Sequence, residues 1–142
     1  MSDIARVREL IAEAKALGLE GIERVEALPI EQVASEFNGI GPAWFKPELR
    51  ELLDDAFPLF VPPSLIHDTD YKLGDGSTAQ FHEANKRLGR NCRKAADATY
   101  KWYDFRRYHY RKAARQFEAL CEVFGWKAYK DATAATKEDA HE

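Results

Sequence analysis

The segment LIHDTDY, Leu65 to Tyr71, sets an imidazole beside a carboxylate and places a phenol one helical turn further on. Adjacent helical positions diverge by about 100°, so His67 and Asp68 would flank a cleft, and Tyr71 could reach the same cleft. A carboxylate such as Asp68 gives one or two oxygens to a hard cation like calcium, whose other ligands are backbone carbonyls and water. The loop Asn38-Gly39-Ile40-Gly41-Pro42 offers such carbonyls, because its glycines let the chain curl. Water held between the cation and His67 would be acidified and then deprotonated by the imidazole. These residues therefore describe a hydrolytic centre made of one base, one carboxylate and one loop. Taken singly, they equally suit a solvated polar pair at a helix edge and an ordinary glycine–proline turn.

The elements that must position them read as helices throughout. Ile4, Val7, Leu10, Ile11 and Ala14 share one helical face, with Ser2 or Asp3 as cap and Gly18 as stop. A short segment from Ile22 to Phe37 is interrupted by Pro29. Pro47 suits the first turn of a helix toward Phe57 that turns Leu49, Leu52, Leu53 and Ala56 inward. Pro63 can open the helix that carries His67. LGDGS, Leu73 to Ser77, is a turn by composition, and Ser77 or Thr78 caps a helix to about Tyr100. A last helix runs from Tyr103 to Phe124 with Tyr110, Ala113, Ala114, Phe117, Leu120, Cys121 and Phe124 on its apolar stripe. Gly125 ends it, and Trp126 and Tyr129 fold back. The expectation is an all-α fold: an arm at residues 1–36, a helical domain at 37–130 and a loose, Ala- and Thr-rich tail at 131–142.

Bulk properties narrow the classes. The chain of 142 residues suits one core, and a net charge of −3 recruits neither nucleic acid nor an anionic membrane as a whole. No apolar run is long enough to span a bilayer. MSDIARVREL lacks the apolar stretch of a secretory signal, so synthesis in the cytoplasm is expected. Cys92 and Cys121 have no partners at zinc-ligand spacing and read as small core residues. His82 reads as an exposed helical histidine. A His-Asp pair also marks metal-dependent phosphohydrolases, but that chemistry needs an upstream histidine and none precedes His67.

Asn38-Gly-x-Gly-Pro followed by His67-Asp68-x-x-Tyr71 resembles the calcium-dependent, secreted-type phospholipase A2 superfamily, especially its cysteine-poor prokaryotic and viral members. Ala84-Asn85 in FHEANKRL and Phe124-Gly125-Trp126 also look like small phage and prophage proteins of unassigned function. The resemblance covers about Phe37 to Tyr129. It implies an antiparallel helix pair, about Pro63 to Leu73 and Thr78 to Tyr100, with additional N- and C-terminal helices. It implies His67 as general base, Asp68 as the calcium carboxylate, and Asn38, Gly39 and Gly41 as the calcium loop around Ile40, one of whose amides faces the oxyanion. Tyr71 matches the tyrosine of the supporting hydrogen-bond network. Two positions depart from the pattern. Asp70 stands where a disulfide cysteine is common, and Asn85 stands where an aspartate orients the histidine. Asparagine accepts a proton from one imidazole nitrogen but does not neutralise the imidazolium. Glu83 or Asp97 would serve only in another helix register.

The implied function is calcium-dependent hydrolysis of glycerophospholipid esters, active or degenerate, in a phage or prophage setting. Its implied partners are Ca2+ and a phospholipid surface, reached through an exposed apolar rim. The alternative is a non-catalytic structural or assembly protein of a phage particle, associated with the virion and with phage structural proteins. Lys101 to Arg115, KWYDFRRYHYRKAAR, interleaves aromatic and basic residues as a nucleic-acid-binding face does. There, however, Tyr110 belongs to the apolar stripe and most of the arginines fall elsewhere, so nucleic acid is not the expected partner; a lipid headgroup contact suits the same face. Trp44, beside the glycine loop, suits an interface or acyl chain, and Trp102 and Trp126 suit the core.

Overall fold

The computed structural model describes residues 3–37, 39–40 and 46–141. Among these there are eight α-helices, one 3₁₀ turn and no strand. The helices are α1 (Asp3–Ala16), α2 (Ile22–Glu26), α3 (Ile30–Glu36), α4 (Pro47–Ala56), α5 (Val61–Lys72), α6 (Thr78–Thr99), α7 (Phe105–Phe124) and α8 (Trp126–His141), with the 3₁₀ turn at Pro58–Phe60. The all-α expectation is met. Asn38, Gly41 and Trp44, three residues given a role by the sequence, lie outside the described residues.

Local chemistry explains most boundaries. Gly18, at φ 66°, ends the first helical segment in the left-handed region. Pro29 separates α2 from α3, because proline donates no hydrogen bond and fits only a first turn. Pro47 opens α4. The Ser77 hydroxyl caps α6 by accepting from the Gln80 amide, and the Asp104 carboxylate caps α7 by accepting from the Arg106 amide. α5 starts two residues before the expected Pro63, since Pro62 and Pro63 both sit in its first turn, where no amide donor is required.

α5 is the axis of the molecule. Nearly every side chain from Val61 to Tyr71 is buried, so this helix has no solvent face. It packs against α1, α2, α6 and α8. It runs antiparallel to α6 across the 73–77 turn: the Tyr71 ring meets Phe81 at 5.9 Å and His67 meets Asn85. Val7, Leu10, Leu19, Val25, Leu65, Ile66, Leu88 and Ala114 belong to one apolar cluster, so residues of the expected arm share a core with the helical domain. Asp70, at the disulfide position of the resembled family, instead accepts from Arg24 at 2.6 Å and from Arg87 at 3.0 Å, tying α2, α5 and α6 together by charge.

Several expectations need correction. Residues 131–141, expected as a loose tail, continue α8, and Thr133 is buried with its hydroxyl 3.2 Å from the Tyr71 carbonyl. The Ala- and Thr-rich composition hid this, because small side chains let α8 approach α5 closely. Trp102, expected in the core, is 82% exposed, and Trp126 is 40% exposed. Leu49 and Leu52 of α4, expected to point inward, are exposed, as are Leu120 and Phe124 of α7. The helical stripe was read correctly there, but among the described residues no helix covers that part of it.

Tyr129 is fully buried and accepts a hydrogen bond at its hydroxyl from the Gly76 amide at 2.9 Å. Tyr129→Phe leaves that amide without its partner and is expected to cost about 1–2 kcal/mol, read from the urea midpoint at constant slope. An unchanged midpoint would show that α8 does not brace the 73–77 turn.

Candidate functional site

Antiparallel packing of α5 on α6 sets His67 and Tyr71, one turn apart, against the same side chain of the opposite helix. His67 Nε2 lies 2.9 Å from Asn85 Oδ1, and the Tyr71 hydroxyl donates to that oxygen at 2.7 Å. Asn85 is fully buried and His67 is 8% exposed, so the pair is not a solvated edge of the helix. The expected register of His67, Tyr71 and Asn85 is the observed one, and neither Glu83 nor Asp97 takes the place of Asn85: Glu83 pairs with Arg90, and Asp97 with Arg107 and Arg111. Gly125 makes room for the network, since a Cβ there would lie 2.5 Å from the Tyr71 hydroxyl oxygen.

Burial decides the protonation states. It lowers His67 to about 4 against a smaller opposing effect of the Asn85 hydrogen bond, so the ring is neutral at pH 7. An amide oxygen only accepts, so the ring proton sits on Nε2 and Nδ1 keeps its lone pair. Burial also pushes the Tyr71 phenol well above its ordinary range, which keeps it a donor. Asp68 makes no hydrogen bond or ion pair with any other described residue. Burial raises its carboxyl to about 8, with only the more distant Arg50 guanidinium opposing.

No local pattern announces the cavity that these residues face. His67, Asp68 and Tyr71 stand in the wall of a cavity of about 730 Å³, a volume in the range of small-molecule sites. Its lining is mainly apolar and comes from distant parts of the chain. Phe37, Ile40 and Leu53 contribute on one side, and Leu120, Phe124 and Ala128 on another. Leu120 is 53% and Phe124 69% exposed, so both belong to the cavity and to the surface.

The glycine loop reaches this cavity through Ile40. Gly39 adopts φ 93°, and a Cβ there would collide with the Asp54 carboxylate, which accepts from the Ile40 amide at 2.9 Å. Asp54 was not anticipated in the sequence; it anchors the loop and uses the Ile40 amide. Asn38 and Gly41, the other expected ligands, lie outside the described residues. Among the described residues no three histidine, cysteine or acidic side chains cluster as a metal site. The donor set still suits calcium in kind. An orphan carboxylate in an apolar wall calls for a cation, and backbone oxygens of a curled loop complete such shells. Among the described residues, Asp68 is the side chain that would hold the ion.

Glu122, also unforeseen, completes the polar cluster. Asn85 Nδ2 donates to Glu122 Oε1 at 3.2 Å, and His82 Nδ1 lies 2.6 Å from Glu122 Oε2. His82 is half exposed, as expected, but is paired. A separation of 37 residues between Asn85 and Glu122 leaves no local pattern to read. The only available clue was chemical: a buried asparagine has two donors to satisfy. No helix among the described residues is long and apolar enough to cross a membrane. Comparison with known protein families, with curated proteins and with solved structures found no match to this chain.

Proposed function

We propose that the protein is a calcium-dependent hydrolase of glycerophospholipid esters, with His67 as general base and Asp68 as the cation ligand. The observation that carries this reading is the joint placement of a neutral, tautomer-fixed imidazole and an orphan carboxylate in the wall of one large apolar cavity. The wall is suited to an acyl chain, because burying methylenes there releases water from apolar surface. His67 takes a proton from water at Nδ1 while Asn85 and Tyr71 hold the ring. Asp68 must lose its proton to bind a cation. A bound calcium ion would supply Lewis acidity toward an ester oxygen and phosphate.

The partner in this reading is a phospholipid surface. Leu120 and Phe124 supply an apolar rim at the cavity, and Lys112 and Arg115 lie exposed on the same helix, suited to anionic headgroups. Leu120→Ser with Phe124→Ser is expected to weaken binding to anionic phospholipid vesicles about tenfold in a sedimentation assay, from lost apolar contact alone. The far-ultraviolet circular dichroism should not change, since both side chains are exposed. Equal binding by the double variant would remove this rim from the proposal.

The neutral Asn85 beside His67 favours a second reading, a non-catalytic structural or assembly protein of a phage particle that keeps the cleft for packing. Fatty-acid release from mixed phospholipid vesicles at millimolar calcium separates the two. Calcium-dependent release by the folded protein supports the hydrolase; none supports the structural role.

A further inference from the structure

We infer that Glu122 is a positioning residue for His67, acting through Asn85: its carboxylate sets which way the Asn85 amide points, and the amide sets which imidazole nitrogen carries the proton. The inference rests on the hydrolase reading for its catalytic meaning, but its geometry is independent of that reading.

Asn85 is buried between three polar partners. His67 Nε2 and the Tyr71 hydroxyl lie on one side of its amide, and Glu122 Oε1 lies on the other, with His82 beyond it. The His67 nitrogen and the Tyr71 oxygen can each donate or accept, so on their own they accommodate either orientation of the amide. The Glu122 carboxylate only accepts. Turning the amide over would set Asn85 Oδ1 against a carboxylate oxygen at about hydrogen-bond distance and leave that fully buried amide oxygen facing an acceptor, a costly arrangement. Glu122 therefore holds Nδ2 toward itself and Oδ1 toward His67 and Tyr71. Both of those must then donate, which fixes the proton on Nε2 and the lone pair on Nδ1. His82, on the far side, tethers Glu122 Oε2, so the carboxylate is held at both oxygens.

This arrangement also restores part of what Asn85 lacks. An aspartate at that position would place its charge against the ring. Here the negative charge stands one residue further out, and the amide between them is polarised by it. A carboxylate on α7 thus takes over the orienting task that the α6 side chain performs alone in a direct pair. His67 and Asn85 can then remain neutral in the buried site.

The test is the tautomer of His67, read from the imidazole nitrogen shifts of the calcium-free protein near pH 7 with selective histidine labelling. Wild type is expected to show the Nε2-protonated ring. Glu122→Lys replaces the acceptor by a donor, so Asn85 should turn over and His67 should change to the Nδ1-protonated ring. Glu122→Met offers neither group and should lose the single tautomer; it decides the matter if the lysine variant does not fold. Glu118→Gln, one turn earlier on α7 and paired with Arg93, should leave the wild-type pattern. In vesicle hydrolysis, Glu122→Lys should lower kcat about 100-fold with little change in KM, because binding surfaces are untouched.

An Nδ1-protonated ring in the wild type, or an Nε2-protonated ring retained in both folded Glu122 variants, would overturn the inference. If the tautomer switches as expected while wild type releases no fatty acid, Glu122 still positions His67, and it is the hydrolase reading that fails.

Discussion

His67→Gln is expected to lower calcium-dependent fatty-acid release from phospholipid vesicles on the order of 1000-fold while leaving the fold intact. The reason lies in two facts about one ring. Nε2 is engaged with Asn85, so Nδ1 has the lone pair through which the imidazole can take a proton from water. Glutamine keeps a donor that can reach Asn85 Oδ1, so the buried acceptor is not orphaned and the melting temperature should change little. It offers no nitrogen lone pair for a proton. Burial holds the His67 pKa near 4, so the neutral base predominates across the physiological range, and at saturating calcium the acidic limb of the rate profile should fall well below pH 6. A residual rate in His67→Gln within tenfold of wild type, with the variant folded, would remove His67 as the base.

Asp68→Asn should have two opposite effects. It is expected to weaken calcium binding at least about 100-fold by titration calorimetry, because the one carboxylate offered to the ion is gone. Without calcium it should stabilise the protein. The Asp68 carboxyl is raised to about 8 in the folded chain, against an ordinary aspartate value near 3.9 when unfolded. The folded state therefore binds this proton more tightly than the unfolded state. The contribution of Asp68 to stability is full below about pH 4 and declines as pH rises, until it levels off above about 8. Asparagine escapes that loss, so the calcium-free variant should exceed wild type by roughly 2 kcal/mol at pH 8, allowing for some solvent relaxation around the group. The two proteins should converge toward pH 4.

The same proton links calcium to pH. Calcium must displace it below about pH 8, so apparent affinity should climb about tenfold per pH unit up to that point and level off above it. Calorimetry in buffers of different ionisation enthalpy reads the released proton directly. Affinity independent of pH between 6 and 8 would show that Asp68 is already ionised in the folded protein.

The periodicities were enough for the helices before α8, because those have local signals. Ser77 and Asp104 cap, Pro47 opens, Gly18 stops, and apolar residues recur at three and four. They also put Tyr71 one turn after His67, whereas the pairing of Asn85 with His67 was implied by the resemblance and not by periodicity. The α8 error has a local cause as well: alanine and threonine give a weak apolar pattern, although they allow the close contact that buries Thr133.

What the sequence by itself determined about this protein is thus the all-α class, the boundaries of the helices before α8 to within about a turn, and the placing of His67 and Tyr71 one turn apart on α5. Tertiary structure alone decided that α5 is enclosed on nearly every side, which makes His67 neutral and leaves Asp68 protonated at neutral pH with no hydrogen-bond or ion-pair partner among the described residues. It alone decided the cavity, the Asp54 anchor of the glycine loop and the Glu122 contact to Asn85. The physical reason is range. Capping, turn chemistry and periodicity act over a few residues, whereas desolvation and hydrogen bonding across helices depend on which distant segments exclude water from the same space.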